Sequence, residues 1–265
     1  MFSPHYAAAR RRQPAAEPLA HCGVNVALYG PSGRWSFTEY GAAHLARSRS
    51  TLCLGASHWT WDDAGALCIE LDERTSPWPG QICGRLRLRP RGPAPTPHTL
   101  DLDGAHHWWP VAPCADLEVR LSDPAVHFDG PGYHDANWGS APLEADFSHW
   151  DWQRACHLDA TTVHYTARLR DGTDTALHLH YGADGSVRAL PPPPTAPLPT
   201  SRWRLGGRAH GVLTACENLE DTPFYRRARL QLQDGGAVLH EYLDLRRFRR
   251  RWVQHLLRYR MRRQR

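Results

Sequence analysis

Apolar and polar residues alternate with period two over much of this 265-residue chain. Strand side chains point to opposite faces in turn, so this pattern predicts strands with one buried and one solvated face. Residues 24–29 read as a strand, Gly30-Pro31-Ser32-Gly33 as a turn, and residues 34–40 as the return strand of a hairpin. Residues 41–50 read as a short helix. Residues 58–71 predict a strand, a turn and a strand. Around Ile82, Leu86 and Leu88 the apolar positions alternate with Arg85, Arg87 and Arg89, and residues 116–121 alternate again. Residues 161–170, 176–181, 229–233 and 237–242 complete the series, with turns at Asp171-Gly172, Asp184-Gly185 and Asp234-Gly235-Gly236. Short strands at such spacing, separated by turn residues, indicate an all-β barrel or sandwich. Residues 90–98 read as a Pro-rich loop, and the prolines between 191 and 199 as a stiff connector.

The period changes at the C-terminus. Tyr242, Leu245, Phe248, Trp252, Leu256 and Tyr259 recur every three or four residues, with Arg between them. That is the pattern of a basic amphipathic helix. Charge sharpens this picture. Residues 246–265 carry ten Arg and no acid, which leaves 22 Arg against 27 acids in the rest of the chain. A basic tail with interleaved Trp, Phe and Tyr suits an anionic membrane surface, or docking on the body. Nucleic acid is not expected, because the acidic body offers no extended basic groove. Residues 1–20 are polar and Arg-rich and read as a mobile arm, residues 21–245 as the β region, with a connector near 190–200 if there are two modules.

Composition removes several chemistries. The seven Cys are scattered, odd in number and without a C-x-x-C pair, which argues against a disulfide framework or structural zinc. There is no secretory layout at the start and no apolar run long enough for a spanning helix. No P-loop, dinucleotide fingerprint or G-x-S-x-G occurs. His178 and His180 share a strand face, a spacing that can chelate, yet no H-x-E or H-E-x-x-H pattern accompanies them, so no metal is expected.

Acids, histidines and indoles concentrate between Gly130 and Trp152. The glycines at 130, 132 and 139 favour turns and close backbone approach. In an extended chain Tyr133, Asp135 and Asn137 face one way, and His106 and Trp108 repeat that spacing. The stretch reads as a structural turn with a satisfied Asp, or as an acid site in an aromatic setting. In the second case burial would keep a proton on Asp135, His106 or Tyr133 would orient it, and Trp108 would face a cation formed by protonating an alkene.

At these residues the sequence resembles the carotenoid 1,2-hydratases, also called hydroxyneurosporene synthases, of the shorter purple-bacterial type. The resemblance rests on Phe2-Ser3-Pro4-His5-Tyr6, on residues 21–31, on His106-His107-Trp108-Trp109-Pro110, and on Gly132-Tyr133-His134-Asp135-Ala136-Asn137-Trp138-Gly139 with Leu143–Phe147 and Trp150-Asp151-Trp152. It implies lipocalin-like β-barrel modules and a cofactor-independent lyase. That enzyme would add water to the terminal C1–C2 double bond of acyclic carotenoids such as neurosporene and lycopene. It implies Asp135 as proton donor, with Tyr133, His106 and Trp108 around it. His107 and Trp109 duplicate the last two types one residue on, so a shifted register would exchange them. Trp109, Trp138, Trp150 and Trp152 are expected to line the polyene site, and the tail to hold the protein, in the cytoplasm, peripherally on the inner membrane. A non-catalytic carrier of an apolar polyene is the alternative, and a related isoprenoid or cyclising enzyme a third.

Overall fold

The computed structural model describes residues 2–13, 16–233 and 236–264. Strands dominate, and nearly all pair antiparallel. The chain divides into two units, residues 1–89, 116–130 and 254–265 in one and residues 90–115 and 131–253 in the other. The connector stretch 190–200 therefore lies inside the second unit.

In the first unit the hairpin expected from residues 24–40 forms between strands Cys22–Leu28 and Arg34–Tyr40, in register from Cys22↔Tyr40 to Leu28↔Arg34. Strands Leu45–Arg47, Thr51–Leu54, Ser57–Trp61, Leu67–Arg74 and Gln81–Pro90 follow one another as neighbours in a second sheet. The helix expected over 41–50 shrinks to a single 3-10 turn, Ala42–His44, because Leu45 pairs with Leu54 and draws the chain into the sheet. The alternation around residue 86 holds. Ile82 and Leu88 are buried, Arg85 is exposed, and Arg85 pairs with Glu70 across the ladder at 2.6 Å. Leu71, Ile82, Val119 and Leu121 form the core. Gly84 is needed there, since its φ is +142° and a Cβ would collide with the Arg120 carbonyl and Leu121 Cα.

Within residues 1–20, expected as an arm, Pro4–Arg12 is a helix. Ser3 Oγ caps it by accepting the Tyr6 N–H at 2.9 Å, and Pro4 suits the first turn because it has no N–H to satisfy.

The second unit is built on a seven-stranded antiparallel sheet. Its order is Val187–Ala189, Asp174–Gly182, Ala160–Leu169, Phe147–Cys156, Ala237–Asp244, Tyr225–Leu232 and Leu213–Asp221. The predicted turns at 171–172 and 184–185 place Gly172 and Gly185 at positive φ. The turn expected at Asp234-Gly235 lies outside the described residues. The proline-rich connector is not wholly free of strand, since Thr195–Pro197 pairs with Arg208–His210. Ala209 packs there with Ala228, Leu230, Leu232 and Val238.

The C-terminal helix is present as Arg251–Arg260, preceded by the helical turn Leu245–Phe248 that Asp244 caps. The expected apolar stripe splits. Tyr242 lies in the strand Ala237–Asp244 instead of starting the helix, and Leu245 and Phe248 are buried. Trp252, Leu256 and Tyr259 remain 45%, 43% and 70% exposed. Beyond them, Arg262–Gln264 adds a parallel strand beside Arg34–Tyr40, and Arg263 meets the buried Glu39 at 3.0 Å. No helix among the described residues is long and apolar enough to cross a membrane.

Candidate active site

Two strands of the second unit carry the predicted acid site. The first is His106–Asp123, whose residues 106–115 belong to this unit. His106, Trp108 and Pro110 are buried and Trp109 less so, as period two requires. The second is Ala125–Gly139, whose residues 131–139 belong here. Gly130 and Gly132 are strand residues, where turns were expected. Gly139 serves close approach instead, because a Cβ there would lie 2.6 Å from the Ala105 carbonyl and 2.8 Å from His106 Nδ1.

The carboxyl of Asp135 is the focus. Trp108 Nε1–H donates to its Oδ2 at 2.8 Å, and Tyr133 O–H donates to the same oxygen at 3.1 Å. Trp108 is fully buried. Two opposing influences set the acidity. Burial pushes the Asp135 pKa up, and the nearby Glu241 adds to this, while the two donors favour the anion and pull it back. The result is a carboxyl above its usual range. Burial also drives the Tyr133 phenol well upward, so it remains a neutral donor.

The surroundings are aromatic. Trp152 lies 5.6 Å from Tyr133 between ring centroids, and the Arg154 guanidinium carbon lies over the Tyr133 ring, 4.7 Å from its centroid. Tyr165 lies 5.6 Å from Trp108 and 6.1 Å from Trp150. His98 stacks on Trp108 at 5.5 Å. Tyr165 and His98 were missed from sequence, since each sits in a distant segment whose own pattern is ordinary.

Other expected residues fall differently. His106 does not hydrogen-bond Asp135. Its Nε2 meets Asp146 Oδ2 at 2.7 Å, and its ring packs on Phe147. Residues two apart on a strand are separated by roughly 6–7 Å, so His106 shares the face of Trp108 but not its level. Asp146 belonged to the quoted Leu143–Phe147 block, and only the fold reveals it as the partner. Asn137 is exposed. Trp109 and Trp138 meet edge to face at 6.5 Å, with His107 stacked on Trp138. Trp109 follows Trp108 on a strand and so turns to the opposite face. It is therefore Trp108, not Trp109, that meets Asp135. Trp150 and Trp152 join the Asp135 surroundings, and Trp109 and Trp138 form a separate cluster.

The protein-family model described as carotenoid hydratase CrtC matches residues 1–265. The acyclic carotenoid 1,2-hydratase of Thiocapsa roseopersicina is 43% identical over 98% of this chain and 66% of its own length. That of Rubrivivax gelatinosus is 39% identical over 90% of this chain and 60% of its length. The Cereibacter sphaeroides protein of the same name is 41% identical over 94% and 90%. The chain thus spans less than two-thirds of the length of the first two. The crystal structure of a Nitrosomonas europaea protein assigned as AttH, NE1406, aligns with a TM-score of 0.59 at 14% identity, over 82% of this chain and 79% of that one. This likeness concerns the fold alone, and with it the lipocalin-like, all-β architecture expected from the sequence holds. By the full-length match and these relatives, the chain belongs to the carotenoid hydratase family.

Proposed function

We propose that this protein is an acyclic carotenoid 1,2-hydratase that works by general acid catalysis from Asp135. The observation that carries this reading is the convergence of Trp108 Nε1–H and Tyr133 O–H on one oxygen, Oδ2, of a carboxyl whose pKa is raised. Two donors on Oδ2 leave Oδ1 to hold the proton of the neutral acid. That proton passes to C2 of the terminal alkene, and the π electrons leave a tertiary cation at C1. Water attacks C1 and returns its extra proton to the carboxylate, which Trp108 and Tyr133 stabilise while it is charged. The indole faces of Trp108, Trp150 and Trp152 suit both a polyene and a transient cation. His106, tied to Asp146, is a positioning residue for its strand.

The substrate class is an acyclic carotenoid with a free terminal C1–C2 bond, such as neurosporene or lycopene. Such a substrate dissolves in a bilayer. Trp252, Leu256 and Tyr259 lie at i, i+4 and i+7 on one helix face and remain exposed among arginines, which supports peripheral contact with an anionic membrane.

The test is incubation with lycopene or neurosporene in liposomes, in water enriched with heavy oxygen. The expected product is heavier by one water, labelled at a tertiary alcohol, and absent with Asp135→Asn. Polyene that co-purifies unchanged would make the protein a carrier, and an isomer of unchanged mass would make it a cyclase-like enzyme.

A further inference from the structure

The opposite face of the same sheet carries a second cluster. In the ladder between Ala160–Leu169 and Asp174–Gly182, His164 stands directly across from His178. His210, at the end of the short strand Arg208–His210, closes over both. One ring nitrogen from each of the three lies within 4.8 Å of the others. His164 Nδ1 and His178 Nδ1 are 3.0 Å apart, and the three ring centroids are separated by 5.1, 5.1 and 5.4 Å. The sequence paired His178 with His180, but His180 stands across from Thr162.

We propose that His164, His178 and His210 form a binding site for one divalent first-row transition-metal ion, with zinc the best fit. Geometry is the first support. Three nitrogens around a tetrahedral zinc, each at 2.0–2.1 Å, sit about 3.3 Å from one another, close to the His164–His178 separation already present. The second support is His210. It is 4% exposed, and neither of its ring nitrogens has a hydrogen-bond partner. Buried polar atoms without partners are destabilising and call for an explanation. A metal ion accepting the lone pair of the unprotonated ring nitrogen provides it for that atom.

The chemistry of the donors is the third support. An all-imidazole set suits zinc, copper, nickel or cobalt, whereas calcium and magnesium need oxygen ligands.

The next layer fixes the third ligand. Gln153 binds the backbone of His210 twice, accepting its N–H at 2.9 Å and donating to its carbonyl at 2.7 Å. Asp151 accepts the Arg208 N–H at 2.8 Å and lies 3.1 Å from His240 Nε2. Its carboxylate would offset part of the charge of a buried dication. The ion would act as a clamp. It would tie two sheet strands to the segment Thr195–His210, adding to the packing of Ala209 and Leu198 against the sheet.

The test uses the full chain, stripped with a chelator and desalted, then titrated with zinc chloride or cobalt chloride. One ion per chain should bind. Cobalt should give the intense visible absorption of a four-coordinate site. Zinc at a hundredfold excess over its Kd should raise the Tm by roughly 5–10 °C. His178→Gln and His164→Gln should each abolish the cobalt spectrum and the zinc-dependent rise, and His180→Gln should leave both intact. His178 is half-buried, so the metal-free Tm and far-ultraviolet dichroism of His178→Gln should match wild type and show that it folds. Absence of stoichiometric binding, or binding that survives the His164→Gln/His178→Gln double variant, would overturn the proposal.

Discussion

His164 and Tyr165 are neighbours in sequence and look into different chemistries. Tyr165 lies against Trp108 on the Asp135 side of the sheet. His164 lies against His178 and His210 on the other side. The adjoining strand repeats the division, since Trp152 reaches Tyr133 while Asp151 and Gln153 hold the segment Arg208–His210. Both faces bury titratable groups, but they are satisfied differently. On one face two donors converge on a single acid. On the other, three neutral bases share few protons and His210 shares none. A satisfied acid with a raised pKa keeps its proton to higher pH, as the proposed mechanism requires. Clustered bases without donors are poised to accept a Lewis acid instead.

The contrast breaks most sharply at Asp135. Asp135→Asn should reduce hydration by at least about 10²–10⁴-fold, the usual worth of a positioned acid, and leave the zinc-dependent Tm shift unchanged. Loss of both in steady-state turnover and thermal melts would mean the two faces are one cooperative site. Trp108→Ala should cost about 3–5 kcal/mol in chemical denaturation, as removal of a fully buried indole does, and should also impair turnover. Trp108→Phe keeps most of the packing and isolates the lost Nε1–H bond.

The pH profile sharpens the comparison further. On the proposed mechanism Asp135 works as the neutral acid, so activity should be full below its pKa and be lost as pH rises through it. Burial places that limb above the ordinary carboxylate range. Tyr133→Phe removes a donor to the anion, so the limb in a rate–pH series should move to still higher pH. A limb moving to lower pH would remove Asp135 as the acid. The smallest effect belongs to the histidine face. His210→Leu should abolish zinc-dependent stabilisation while changing metal-free stability by no more than about 1 kcal/mol, because it removes polar atoms that had no partner.

The legibility of these sites differed for physical reasons. Tyr133 and Asp135 sit two apart on one strand, and Trp108 sits on a face that alternation defines. Their chemistry was therefore readable, together with the family resemblance. The bond from His106 to Asp146 was not, because it joins residues 40 apart at a level that only the strand pairing sets. The histidine cluster was less readable still. His164, His178 and His210 share no motif, and the local pair His178 and His180 pointed to the wrong partner.

By itself the sequence determined the all-β class, most strand positions, the exposed arginines opposite buried apolar residues, and the acid–aromatic block. These follow from period-two alternation, turn residues and side-chain chemistry, which are local. Only tertiary structure decided that Gly130 and Gly132 are strand residues, and that Trp108 rather than Trp109 meets Asp135. It also decided that the C-terminal stripe is half buried and half exposed, and that three scattered histidines converge. Each of these depends on ladder register and on what covers each sheet face, and those are set by long-range pairing that no local pattern encodes.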